Sequence, residues 1–174
     1  MGDLTDALHP PQLLTTAHVR GAFSCGHVVL DAWLQQRAES NQASGASRTY
    51  VVATARGIVI GYYSIAPTAL EARFAKGALR RNAPTPIPMY LLGRLAVDAS
   101  WNGRGIGAAL LQDARSRAEE ASRIAGGKGL LCHAIDHRAK AFYIRQGFAS
   151  SPMEPLMLML ALSPTAPRRP PPCA

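Results

Sequence analysis

The residues best suited to chemistry lie at 102–108, where Asn102-Gly103-Arg104-Gly105-Ile106-Gly107-Ala108 follows the apolar segment Leu95-Ala96-Val97-Asp98. Glycines at a strand-to-helix junction let the main chain come close to a ligand and turn its amides outward. Unpaired N–H groups at a helix start, with the positive end of the helix dipole, bind phosphate oxygens. Arg104 adds a mobile cation beside them. The segment reads as a pyrophosphate site. Gly103, Gly105 and Ala108 also satisfy the loose dinucleotide pattern G-x-G-x-x-G/A. That pattern expects an early strand and an acidic residue about twenty positions on, whereas here the motif comes late and Asp136 is too distant. No G-x-x-x-x-G-K-S/T occurs, which excludes a P-loop. A tight turn that holds no ligand is the plain alternative.

A second group is aromatic. Phe142-Tyr143 and Phe148 lie within the segment 137–148, and by themselves they read as core packing. No general base stands out. Glu71 and Asp98 fit helix-start or strand-end solvation, and His133 reads as a satisfied strand residue, with His137 nearby in sequence. Cys25, Cys132 and Cys173 are sparse, odd in number and without metal-ligand spacing. They are expected to be reduced thiols, with no disulfide framework and no metal site.

These groups need elements to position them. A weak first strand is expected at 12–17, and Leu30, Trp33, Leu34 and Ala38 give a helix its apolar face. Strand formers at 48–53 and 58–65, parted by Arg56-Gly57, predict a β-hairpin. A short helix is expected at 70–79, and Pro84, Pro86 and Pro88 break the chain before a strand at 89–97. The longest helical pattern is 105–125, ended by Gly126-Gly127; a strand at 129–134, a helix at 137–146 and a strand at 156–162 follow. This order indicates an α/β sheet layered with helices, in one domain over 1–162. The proline- and arginine-rich residues 163–174 are expected to be a disordered tail.

Composition bounds the partners. No apolar run approaches a membrane span, and residues 1–10 lack the pattern of a signal peptide, so a cytoplasmic protein is expected. The net charge is +8, and sixteen of the nineteen basic residues are Arg. Arg suits bidentate phosphate contacts, but a high-GC genome enriches it regardless of function.

Leu95-Ala96-Val97-Asp98 with Asn102-x-x-Gly105-x-Gly107 resembles the acetyl-CoA motif of GNAT acetyltransferases, although Asn102 stands where that family usually has Gln or Arg. The later Ala139-x-x-Phe142-Tyr143-x-x-x-Gly147-Phe148 is similar to the family's late helix. The resemblance implies the GNAT fold, a central mixed and mostly antiparallel sheet flanked by helices, with acetyl-CoA as co-substrate. It also implies that Leu95, Ala96 and Val97 pair with the pantetheine arm. Phosphates would lie on Asn102, Gly103, Arg104, Gly105, Ile106, Gly107 and Ala108, with Phe142 beside the coenzyme and Tyr143 near its sulfur. There the phenol would act as general acid, because at a pKa near ~10 it stays protonated at neutral pH.

Further blocks narrow the resemblance. Phe23-x-Cys25-Gly26, Leu30-Asp31-x-Trp33-Leu34, Ser47-Arg48-Thr49-Tyr50-Val51, Pro86-Ile87-Pro88 and Ser151-Pro152-Met153-Glu154-Pro155 look like the acetyltransferase toxins of type II toxin–antitoxin modules, which acetylate aminoacyl-tRNA. That subgroup implies aminoacyl-tRNA as acceptor, a ribbon-helix-helix antitoxin and a homodimer. An α-amine near pKa ~8 needs little base catalysis, unlike a lysine amine near ~10.4. The basic residues expected to meet the tRNA backbone are Arg48, Arg73, Lys76, Arg80, Arg81 and Arg94. Two other readings compete: a GNAT enzyme acting on a small amine or a protein N-terminus, and a non-catalytic acyl-CoA-binding module.

Overall fold

The computed structural model describes residues 7–163. Most of the tail expected to be disordered lies outside them. Eleven elements follow in order: β1 (Gln12–Leu13), α1 (Val28–Gln36), α2 (Ala38–Ala43), β2 (Arg48–Ala53), β3 (Val59–Leu70), β4 (Ile87–Val97), α3 (Ile106–Ala125), β5 (Gly129–His133), α4 (His137–Arg145), β6 (Ala149–Ser150) and β7 (Met157–Ala161). They build one seven-stranded sheet in the order β1-β2-β3-β4-β5-β7-β6. Every pairing is antiparallel except β4 with β5.

The hairpin, the long helix and the strands after it form as their patterns predict. The region 70–79 does not. Strand β3 runs on to Leu70, and the following residues make two 3₁₀ turns, Ala72–Phe74 and Gly77–Leu79, where a helix was expected. Gly77 at φ +59° breaks helical continuity between them. Pro67 is tolerated inside β3 because β2 has already ended opposite Ile65, so Pro67 sits on an open edge. The helix expected near 30–38 is two, interrupted at Arg37, whose φ of −120° departs from helical values.

Gly93 is a bulge in β4: Arg94 pairs with Ser64 and Leu92 with Ile65, so Gly93 is the extra residue. The bulge shifts the side-chain alternation by one. Tyr90, Leu92, Leu95 and Val97 therefore share the face covered by Ile106, Leu110, Leu111 and Ala114 of α3 and by Tyr143 of α4. Leu91 faces the opposite side with the 3₁₀ segment, and Ala96 faces that same side under Trp33 and Leu34 of α1. At Gly93 an added Cβ would lie 3.0 Å from the Ser64 hydroxyl, so the bulge leaves little room for a side chain.

The parallel pair β4–β5 is short. It holds only from Tyr90↔Leu130 to Leu92↔Cys132, after which β4 continues to Val97 with a partner on the β3 side alone. The main chain of Leu95, Ala96 and Val97 is thus open toward β5. Among the described residues no helix is long and apolar enough to cross a membrane.

Candidate active site

The site starts where β4 ends. Asp98 closes the strand, its amide donating to the Ile60 carbonyl at 2.8 Å. Its carboxylate accepts from the Ser100 amide at 3.0 Å, the Ser100 hydroxyl at 2.6 Å and the Ser24 amide at 3.0 Å. Partial burial works against this charge, but those hydrogen bonds outweigh it and hold the carboxyl below its ordinary value. Asp98 is thus a structural clamp that ties the loop before α1 to the end of β4.

The chain then turns through Gly103 at φ +76° and Gly105 at φ +77° before entering α3. Gly105 is the helix N-cap in the left-handed region and offers no side-chain cap. The first helical bond runs from the Ala109 amide to the Gly105 carbonyl at 3.1 Å. The amides of Ile106, Gly107 and Ala108 are therefore left open at the positive end of a 20-residue helix.

A cleft of about 520 Å³ gathers these groups. It is lined by Leu95, Ala96 and Val97, by Asn102, Gly103, Gly105, Ile106, Gly107 and Ala108, and by Phe142 and Tyr143. Ten of the coenzyme-side residues and the tyrosine expected from sequence thus share one cavity. Arg104 does not line it. Its guanidinium lies 4.5 Å above the Trp101 ring, which does.

Tyr143 is 7% exposed and packs against Phe142 and Phe148 at ring-centroid separations of 5.2 and 5.4 Å. Core packing and a place in the cleft are therefore both true of it. Burial raises the pKa of its phenol, and the neighbouring Cys132 adds to the shift. The hydroxyl is neutral throughout the physiological range and has no hydrogen-bond partner among the described residues. Such a group can donate a proton or hydrogen bond to an anion developing in the cleft.

The expected acceptor-side residues do not form one cluster. Arg48 lies on the α3 face, as its alternation with Tyr50 and Val52 requires, and donates to the Gln42 carbonyl at 3.0 Å. Arg94 is on the opposite face, its guanidinium 4.4 Å above Trp33 of α1. Arg73 is paired with Glu71 at 2.9 Å and lies over the Phe74 ring, while Lys76, Arg80 and Arg81 are exposed along the 3₁₀ segment. His133 ends β5 opposite Met157, a strand residue as expected, with its side chain exposed to solvent. Cys132 is the small core residue expected, 1% exposed, its thiol pushed up to about 12 by burial. No group of three or more His, Cys, Asp or Glu side chains among the described residues could hold a metal ion.

The cleft also contains residues that sequence reading did not assign: Cys25, His27 and Leu30 on the α1 side, and Ile135, Arg138 and Arg145 on the α4 side. The first group arrives through the Asp98–Ser24 tie, which spans 74 positions and leaves no local signal. The second had one available signal, since Arg138, Phe142 and Arg145 fall at helical spacing on one face of α4.

Comparison with known proteins agrees with this geometry. The model of the acetyltransferase (GNAT) domain matches residues 46–150. A tRNA-acetylating toxin of Mycobacterium tuberculosis is 41% identical over 153 residues, covering 87% of this chain and 91% of that protein. The solved structure of AtaT complexed with acetyl-methionyl-tRNAfMet superposes with a TM-score of 0.82 at 26% identity, over 89% of this chain and 95% of the other. A mutant AtaT toxin bound to the C-terminus of the antitoxin AtaR and acetyl-CoA matches with a TM-score of 0.77 at 28% identity, over 90% and 94% of the two chains.

Proposed function

This chain belongs to the GNAT acetyltransferase family, and from that premise we propose that it is a toxin transferring an acetyl group from acetyl-CoA to the α-amino group of aminoacyl-tRNA, which blocks translation. The observation that carries the reading is the single cleft in which the open amides of α3, the unpaired edge of β4 and the Tyr143 phenol meet. Its parts fit the coenzyme. The amides of Ile106, Gly107 and Ala108 suit the pyrophosphate, and the free main chain of Leu95, Ala96 and Val97 suits the amide-bearing pantetheine arm. Asn102, Gly103 and Phe142 form the walls, with Arg104 at the rim.

Acetyl-CoA supplies the activated acyl group. Tyr143 is assigned as the general acid whose phenolic proton goes to the departing sulfur, a role supported by its neutrality and its unpartnered hydroxyl. The acceptor α-amine loses its proton to solvent, which is consistent with an amine pKa near ~8 and with Asp98 being fully engaged. Arg48, Arg73, Lys76, Arg80, Arg81 and Arg94 are assigned to the tRNA backbone. We infer also an antitoxin partner, as AtaT has in AtaR, and, from the resemblance of the sequence blocks, that it is of the ribbon-helix-helix type, that the chain is a homodimer and that it is cytoplasmic.

The decisive assay offers radiolabelled acetyl-CoA with charged tRNA, uncharged tRNA, small amines and peptide N-termini. Label on charged tRNA alone is expected. Label on amines or peptides instead would favour the general N-acetyltransferase, and coenzyme binding without transfer would favour a non-catalytic module. Tyr143→Phe should lower turnover ~10²-fold or more at saturating acetyl-CoA, in line with general acid catalysis. Full retained turnover would remove the acid role. Reversal of Arg80 and Arg81 to Glu should weaken tRNA binding and flatten its salt dependence while acetyl-CoA affinity holds; unchanged tRNA affinity would remove that assignment.

A further inference from the structure

Two cations in the cleft have no task in the scheme above. Arg138 and Arg145 both line it, both are exposed, and neither side chain makes a hydrogen bond or ion pair with any described residue. This sets them apart from Arg20, Arg73, Arg115 and Arg117, each held by a carboxylate at 2.6 to 3.3 Å. Both belong to α4, where they stand one turn before and one turn after Phe142. Phe142 in turn lies against the phosphate cradle: its ring is 3.8 Å from where a Cβ on Gly107 would sit. The two guanidiniums therefore flank the start of α3 from the α4 side. Asp136, the one carboxylate among the described residues that line the cleft, accepts from the Ala139 amide at 2.8 Å as the cap of α4.

The charge of the ligand explains why such a pair would be useful. Coenzyme A carries its pyrophosphate and, in addition, a phosphate monoester on the ribose 3′ oxygen. A monoester with its second pKa near ~6 bears roughly −1.5 to −2 at neutral pH. The helix start and Arg104 answer the pyrophosphate alone. We propose that Arg138 and Arg145 bind the ribose 3′-phosphate, so that the site selects coenzyme A over its 3′-dephospho form. Guanidinium forks suit a terminal phosphate with three free oxygens better than a bridging diphosphate, which exposes fewer per phosphorus. The inference rests on the reading of the cleft as an acetyl-CoA site.

Direct binding tests it without any acceptor. Calorimetric titration of the full chain with coenzyme A and with 3′-dephospho-coenzyme A should give at least tenfold tighter binding of the former. In the double variant Arg138→Gln/Arg145→Gln the ratio should fall to within twofold, with the affinity for the dephospho form unchanged. That unchanged affinity also reports an intact fold and cradle. Equal binding of the two ligands by the unsubstituted protein would overturn the proposal. So would a preference that survives the double substitution, or a loss of both ligands alike. A raised KM for charged tRNA with the ligand ratio unaltered would reassign the pair to nucleic acid and equally overturn it. Binding of neither ligand by the unsubstituted protein would instead sink the acetyl-CoA reading, and this inference with it.

Discussion

Gly105→Ala isolates the contribution of the proposed phosphate cradle. Gly105 holds φ +77° and ψ 7°, and a Cβ built there would meet nothing within 4 Å. Sterics against the rest of the protein therefore contribute nothing, and the whole effect is conformational. An L-residue in the left-handed region costs about 1–2 kcal/mol. If the turn keeps its shape, that cost appears as lost stability, a fall in Tm of roughly 2–8 °C for a domain of this size. If the turn relaxes, the amides of Ile106, Gly107 and Ala108 swing off the ligand. The same energy then becomes about a 5- to 30-fold loss of coenzyme affinity, at ~1.4 kcal/mol per decade. Gly105→Asn should recover part of either loss, because Asn tolerates this region.

Gly107→Ala supplies the contrast. Gly107 has no positive φ, and its nearest neighbours, Phe142 and Val97, would lie at an ordinary 3.8 Å from the new methyl. Ala in a helix is favoured over Gly by ~0.8–1.0 kcal/mol, so stability should hold or rise. Any loss of coenzyme affinity then reports the methyl group intruding on the phosphate. Thermal melts and titration with acetyl-CoA on the three variants separate these outcomes. Wild-type Tm together with wild-type affinity in Gly105→Ala would refute the reasoning, since the strain must appear in one or the other.

Tyr63→Phe should destabilise the fold by about 1.5–3 kcal/mol in urea unfolding, because the fully buried phenol donates to the Asp113 carboxylate at 2.6 Å and joins β3 to α3; an unchanged midpoint would contradict that role. Alkali should also destabilise: burial raises the folded-state pKa of Tyr62, Tyr63 and Tyr143, so their stabilisation is complete below the unfolded value of ~10 and is lost as pH rises above it. Cys25, pushed up to about 11 by burial and by Asp31, and Cys132, pushed up to about 12, act with the same sign from pH ~8.5 upward. Unfolding free energies between pH 8 and 11 should therefore fall progressively, and a flat profile would refute the assignment.

What could be read from sequence is what local chemistry determines. Gly103 and Gly105 before a long apolar periodicity specify a strand–turn–helix junction with open amides, because few other arrangements use glycine in that way. Residues 70–79 could not be read so directly. Leu70, Ala75 and Leu79 are all buried, but against β4, β5 and β7, and the sequence does not reveal that this sheet face lacks a helix to cover it. Nor does it reveal that β3 gains a partner as far as Leu70, which makes the start of that segment strand. The α1-side wall of the cleft depends on the bond from the Ser24 amide to Asp98, a contact that exists only once the chain has folded.

Gly93 shows how much of the site turns on one backbone feature. In a regular strand, Leu91, Gly93, Leu95 and Val97 would share a face, and Leu95 and Val97 would point under α1. The bulge moves Leu95 and Val97 to the face of Tyr143 and sends Arg94 to the face of Trp33. Just there, β5 parts from β4 beyond Leu92↔Cys132. The cleft is lined by Leu30, which packs in the cluster under α1, and by Ile106 and Tyr143, which belong to the cluster under α3 and α4. The cleft thus draws its walls from both clusters, where β4 runs on past its last pairing with β5. One face presents the open amides and the phenol, and the other presents α1, over whose Trp33 the Arg94 guanidinium lies. A register without the bulge would turn Leu95 and Val97 away from Tyr143 and remove their side chains from this wall.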